Sequence, residues 1–195
     1  MPSIRAAEGA RQVQARYNSL SISLHWVMLM LLVVVYALME LRGYYPKGSD
    51  IREGMKSWHF MLGLSVLVLV LVRLVARLVR PAPPITPIQP DWQHWLARTV
   101  HLLLYAFMIT MPIAGWLALS ASGKTIPFFG LSLPPLIGEN KVLAEQVQEL
   151  HETIASVGYF LIAFHAAAAL FHHYIVKDNT LRRMLPGRKS DGLSS

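Results

Sequence analysis

Cysteine is absent from all 195 residues. Its absence excludes disulfides, zinc–thiolate sites, iron–sulfur clusters and a covalent c-type haem, which needs Cys-x-x-Cys-His. Charge is also scarce. Only 15% of residues are Asp, Glu, Lys or Arg, against about 25% in a soluble domain. Three long stretches, 19–39, 99–123 and 153–176, hold no charged residue at all. A nucleophile triad, a phosphate-binding glycine loop and a paired-carboxylate hydrolase site are likewise missing. Hydrolytic chemistry is therefore not expected, and any chemistry belongs to a bound cofactor.

What is present is apolar: 54% of the residues are hydrophobic. A spanning helix needs roughly 20 mainly apolar residues. The three uncharged stretches meet that length. A fourth, from Ser57, continues past Val72 with Arg73, Arg77 and Arg80 near its end, where long cationic side chains reach the interface. The sequence thus predicts an all-α, integral membrane four-helix bundle, with spans at about 19–41, 57–79, 97–121 and 148–176. The chain reads as a tail (1–18), the bundle (19–176) and a basic tail (177–195). The first apolar run is longer than a signal-peptide core and lacks a clear cleavage site, so it reads as an uncleaved first helix.

The net charge is +7, and its distribution explains it. With both termini cytoplasmic, the inner segments hold Arg5, Arg11, Arg16, Arg73, Arg77, Arg80, Arg98, Lys177, Arg182, Arg183, Arg188 and Lys189 against four acids, net +8, leaving −1 outside. This is the positive-inside pattern, and nucleic acid is not needed to account for the basic balance. Pro81, Pro83, Pro84, Pro87 and Pro90 make a stiff inner loop. Residues 128–138 are expected to be an irregular outer loop, 139–149 an amphipathic lead into the fourth helix, and Pro112 a kink in the third. Trp26, Trp58, Trp92, Trp95 and Trp116 fall near span ends, as interfacial belts do.

Eight histidines remain: His25, His59, His94, His101, His151, His165, His172 and His173. Ionisable groups inside a membrane are costly and tend to be functional; the plainer reading is capping or headgroup contact. His151 and His165 are 14 residues apart, about 21 Å along a helix and within about 40° of whole turns. They share one side of helix 4 at two depths. Depth then pairs His59 with His151 near the outer face and His25 with His165 nearer the inner face. Two imidazoles from two helices can clamp a haem iron from both sides, provided each ligating nitrogen keeps its lone pair. Gly63 and Gly158 could give a flat macrocycle room, or simply pack helices. A histidine-based metal transporter would also want intramembrane Asp, Glu or Cys, which the central spans of helices 1, 3 and 4 lack. His94 reads as a surface loop residue. Arg73 and Arg77 could meet haem propionates or snorkel.

The block from His151 through His165, His172 and His173 to Pro186 closely resembles the bacterial cytochrome b561 family. Within it, the superoxide oxidase branch is most similar, as are the stretches 21–26 (Ser-Ile-Ser-Leu-His-Trp) and 39–43 (Met-Glu-Leu-Arg-Gly). The resemblance covers about 17–186. It implies four helices and two non-covalent haems b, with iron ligands at His25, His59, His151 and His165. It further implies oxidation of superoxide to dioxygen on the periplasmic side, with electrons passed to ubiquinone in the bacterial inner membrane and no protein partner required. Arg42, Arg52 and Lys56, with Lys47, give the helix 1–2 loop a local excess of positive charge that could steer superoxide. His172, seven residues beyond His165, suits a hydrogen bond to a quinone, and His101 could line the same pocket. The alternative within the family is a haem-carrying electron-transfer subunit of a membrane dehydrogenase or hydrogenase.

Overall fold

The computed structural model describes residues 16–80 and 82–186. The outer parts of the two predicted tails, 1–15 and 187–195, lie outside these residues, as does Pro81. Four helices are long and apolar enough to cross a membrane: α1 (Ser19–Leu41), α2 (Asp50–Val79), α3 (Asp91–Ala121) and α4 (Lys141–Phe171). α2, α3 and α4 begin six or seven residues before the apolar spans; polar caps start α2 and α4, while α3 follows Pro90 with no side-chain cap. Ser49 accepts from the Arg52 N–H at 3.4 Å, and Asn140 Oδ1 accepts from the Leu143 N–H at 3.1 Å. Asn18 does the same for α1 with the Ser21 N–H at 2.7 Å. Each cap satisfies an N–H that the first helical turn leaves unpaired. α3 starts at Asp91, directly after the proline-rich stretch, so His94 lies in its first turn and not in a loop. α3 also runs through Pro112 without a break.

The bundle is turned inside out relative to a soluble one. Val27, Met30, Val33, Val68, Leu102 and Phe160 are all more than half exposed on the helix faces. In water such surface would be a liability, but in a bilayer it meets lipid tails as apolar as itself. α1 packs on α2, α2 on α3 and α3 on α4, while α1 and α4 stay apart along their backbones. They meet through side chains. Tyr36 Oη donates to the Ala155 carbonyl at 2.9 Å and Tyr159 Oη to Glu40 Oε1 at 2.7 Å.

One end of the bundle carries a small hairpin where an irregular loop was expected. β1 (Ile126–Phe128) pairs antiparallel with β2 (Leu131–Leu133). Phe129 and Gly130 turn between them, both with positive φ. The hairpin's apolar side, through Ile126, packs on Leu64 and Leu119 and closes this end of the core. Trp116 Nε1 donates to the Pro134 carbonyl here, at 3.1 Å.

The opposite, tail end is tied by a polar network. α4 widens into a π turn (His172–Val176), and Lys177 closes it in the left-handed region at φ 60°. Beyond it Asp178, only 3% exposed, accepts from His172 Nδ1 at 2.6 Å, from the Thr180 N–H at 2.8 Å and from Gln89 of the α2–α3 loop. Asn179 hydrogen-bonds Thr86, Arg183 donates to the Pro83 carbonyl, and Trp26 donates to the Met184 carbonyl. The loop, Trp26 of α1 and the post-α4 segment thus form one cap.

Burial raises the Asp178 pKa, but the donors from Thr180 and His172 outweigh it and hold the carboxyl below the ordinary aspartate range. A depressed pKa stabilises the folded state above the unfolded value. That contribution is lost as pH falls through the folded value. Acidification below the usual carboxylate range should therefore loosen the 178–184 segment before the helices, as read by amide hydrogen exchange. Asp178→Ala should loosen it at neutral pH by about 3 kcal/mol, since it strands several buried donors.

Candidate functional site

Two histidine pairs sit at two depths inside the bundle. Near the hairpin end, His59 of α2 faces His151 of α4, with ring centres 6.3 Å apart and planes at 76°. Near the tail end, His25 of α1 faces His165 of α4 at 6.4 Å and 80°. A flat macrocycle between two imidazoles, each with its nitrogen roughly 2 Å from a shared metal, needs ring centres about 6 Å apart. Both pairs offer that spacing. His101 of α3 lies 5.2 Å from His165, closer than that spacing, whereas His25 matches it.

The ring nitrogens fit the same use. His59 Nδ1 lies 3.0 Å from the Val35 carbonyl. A carbonyl only accepts, so Nδ1 carries the proton and Nε2 keeps its lone pair. Metal-binding histidines are commonly oriented in this way. His151 Nδ1 is buried without a hydrogen-bond partner. His101 Nδ1 is held in the same manner by the Ala97 carbonyl, at 2.6 Å.

Around His59 and His151 lies a cavity of about 310 Å³. Its wall is mostly apolar, with Leu32, Val35, Phe60, Phe107, Met111 and Leu119. Gly63 opens onto it, and a Cβ there would meet nothing within 4 Å. Gly115 lies against the His151 ring, where a Cβ would stand 3.5 Å from Cε1. These two glycines clear space beside the histidines. Gly158 does not share that role. A Cβ at 158 would collide with the Phe107 ring and the Tyr36 hydroxyl, so this glycine is a helix-packing contact.

The charged groups divide more sharply than the sequence indicates. Of Arg42, Arg52 and Lys56, only Arg42 lines the cavity. Arg52 lies on α2 and faces back to the α1–α2 turn, its Nη1 donating to the carbonyls of Arg42 (3.0 Å) and Tyr45 (2.9 Å). Lys56, also on α2, pairs with Glu53 at 2.6 Å. A shared cationic loop is therefore replaced by one cavity-lining guanidinium and one brace. At the tail end, Arg73 donates to the Ser21 carbonyl and Arg77 to the Tyr17 hydroxyl. His172 is bound through Nδ1 into the Asp178 cluster, away from the cavity.

Sequence reasoning missed Tyr36, Gly115, Glu152 and Tyr159 as cavity residues. Tyr36 carried a signal: it follows His25 by 11 residues, within about 20° of three full turns. Glu152 and Tyr159 are likewise seven apart on one stripe of α4. Gly115 carried none, because nothing nearby in sequence marks it.

The model of the prokaryotic cytochrome b561 family matches residues 16–187. Cytochrome b561 homolog 1 of Escherichia coli (strain K12) is 42% identical over 174 residues, which span 89% of this chain and 99% of that protein. A probable superoxide oxidase of Yersinia pestis is 37% identical over 174 residues, 89% of this chain and 98% of that protein. Cytochrome b561 homolog 2 of Escherichia coli (strain K12) is 29% identical over 187 residues, 90% of this chain and 94% of that protein.

Proposed function

Because the chain belongs to the prokaryotic cytochrome b561 family of multi-pass membrane electron-transfer proteins carrying haem b, we propose that it oxidises superoxide and passes the electrons through two haems to ubiquinone. The observation that carries the two-haem reading is the matched spacing of the histidine pairs, 6.3 Å and 6.4 Å. His59 with His151, and His25 with His165, would hold the two haem irons. A haem in each pair supplies a one-electron carrier, its potential tuned by the surrounding hydrogen bonds and burial.

The chain's own residues do the rest. α4 fixes one ligand of each pair, about 21 Å apart along its axis. The apolar wall of the cavity excludes water from the hairpin-end pair. Arg42 presents the cation that an anionic substrate needs. The choice of superoxide is supported by this cation and by the likeness to the Yersinia pestis relative, a probable superoxide oxidase. The basic tail-end segments belong in the cytoplasm by the positive-inside rule, which puts both termini there and the hairpin end in the periplasm of a bacterial inner membrane. Ubiquinone then takes its electrons near the tail end. His172, with Nδ1–H donating to Asp178, keeps an Nε2 lone pair that accepts a hydrogen bond from the hydroxyl of the quinol formed on reduction, and His101 lines the approach to His165.

Rapid mixing of the purified protein with superoxide tests this. The haem absorption bands should shift to the reduced form without any partner protein, and a short-chain ubiquinone should then reoxidise them. Haems indifferent to superoxide would replace this reading with that of a partner-dependent electron-transfer subunit. His172→Ala should keep superoxide-driven reduction and slow the reoxidation by quinone at least tenfold. Unchanged reoxidation would remove His172 from the quinone site.

A further inference from the structure

The cavity wall carries three charged side chains, and at first sight their balance opposes an anion. Glu40, Arg42 and Glu152 all line it, two carboxylates to one guanidinium. Ion pairing between Arg42 and either acid would cancel the only cation at the site. The structure shows no such pair. Glu40 Oε1 instead accepts from the Tyr159 hydroxyl at 2.7 Å. Glu152 Oε1 accepts from Gln148 Nε2 at 3.1 Å. The Arg42 guanidinium makes no hydrogen bond or ion pair among the described residues. Each acid is thus occupied by a neutral donor, and the cation stays open.

The donor on Glu40 is itself seated by packing. The Tyr159 ring packs against Tyr36 with ring centres 4.3 Å apart and planes tilted by 50°. Tyr36 is fixed in turn by its bond to the Ala155 carbonyl and by its seat against the bare backbone of Gly158. A hydrogen bond from a hydroxyl to a carboxylate is charge-assisted and strong for its kind. From the other side, Arg52 braces the carbonyls of Arg42 and Tyr45, so the turn that carries the guanidinium is fixed as well.

We propose that Tyr159 is a positioning residue that holds Glu40 away from Arg42 and so keeps the guanidinium free to receive a small anion at the cavity mouth. The anion is superoxide on the functional reading above, and the proposal rests on that reading for its substrate. The latch itself is a property of the side chains. No electron or proton moves in it. Tyr159 acts only by choosing the partner of Glu40.

The test uses the holoprotein and three variants: Tyr159→Phe, Glu40→Gln and the double variant. Arg42 availability is read directly, as the rate of its modification by phenylglyoxal, followed by peptide mass spectrometry. Tyr159→Phe should slow that modification several-fold, because Glu40 turns to Arg42. Adding Glu40→Gln should restore it, since an amide carries no charge to pair. The rate of haem reduction by superoxide should follow the same order, falling roughly tenfold in Tyr159→Phe with a weaker salt dependence, and recovering in the double variant. Reduction by an uncharged photoreductant should be alike in all four proteins. Modification unchanged by Tyr159→Phe overturns the proposal. So does a slow Tyr159→Phe that Glu40→Gln fails to rescue, which would mark Tyr159 as structural. If the modification pattern holds while superoxide reduces none of the proteins, the latch stands and the choice of superoxide fails.

Discussion

His151→Ala is expected to remove one haem and leave the other in place. The two histidine pairs share α4 but no ligand, and their α4 members lie about 21 Å apart along the axis. His59 and His151 line a cavity formed by all four helices, so losing one imidazole mainly enlarges that space, with only the contact to Gly115 given up. A b-type haem has no covalent tether, and axial ligation is its main specific anchor. Haem per chain should fall by half, and the remaining spectrum should be that of the tail-end pair. Superoxide should no longer reduce the protein at speed, because the carrier nearest the hairpin end is gone. His165→Ala should give the complementary spectrum, with reduction by superoxide retained and quinone-dependent reoxidation lost. His94→Ala, in the first turn of α3, should change neither. Absorption spectra of the three purified variants decide this. Equal loss of both haems in either ligand variant would mean that the two sites fold as one.

Gly158→Ala should be the most damaging small substitution in α4. The added methyl would overlap both the Phe107 ring and the Tyr36 hydroxyl. Overpacking of a tight contact costs about 1–3 kcal/mol, and the bond from Tyr36 to the Ala155 carbonyl is lost if Tyr36 moves aside. Because Tyr36 packs against Tyr159, the same change should disturb Glu40 and the mouth of the cavity. Thermal unfolding in detergent should show a clear drop for Gly158→Ala and a larger one for Gly158→Val. Gly63→Ala, which meets open space, should leave stability unchanged. If Gly158→Ala melts like the parent, the close approach of α1, α3 and α4 at this point is not needed.

Three of the four helices were legible as uncharged stretches long enough to span, and α2 as an apolar run with its arginines near one end. Their starts were less so. Ser49 and Asn140 begin α2 and α4 by accepting backbone N–H groups, and such caps lie outside the apolar runs that mark a span. The hairpin at 126–133 escaped notice because three-residue strands next to prolines carry almost no periodicity. The four histidines of the two pairs could be read from depth and helical phase alone, since 14 residues nearly close a whole number of turns. The roles of the charged residues could not. Arg42, Arg52 and Lys56 look equivalent in sequence, yet they point respectively to the cavity, to a turn and to Glu53. The cluster of Gln89, His172 and Asp178 joins segments more than 80 residues apart. No local pattern announces it.

A count of haem per chain in the purified protein, with the spin state of each by electron paramagnetic resonance, bears most directly on the two histidine pairs. Two haems per chain, both low-spin with two imidazole ligands, is the predicted result. One haem per chain, or a high-spin centre with a single ligand, would contradict it.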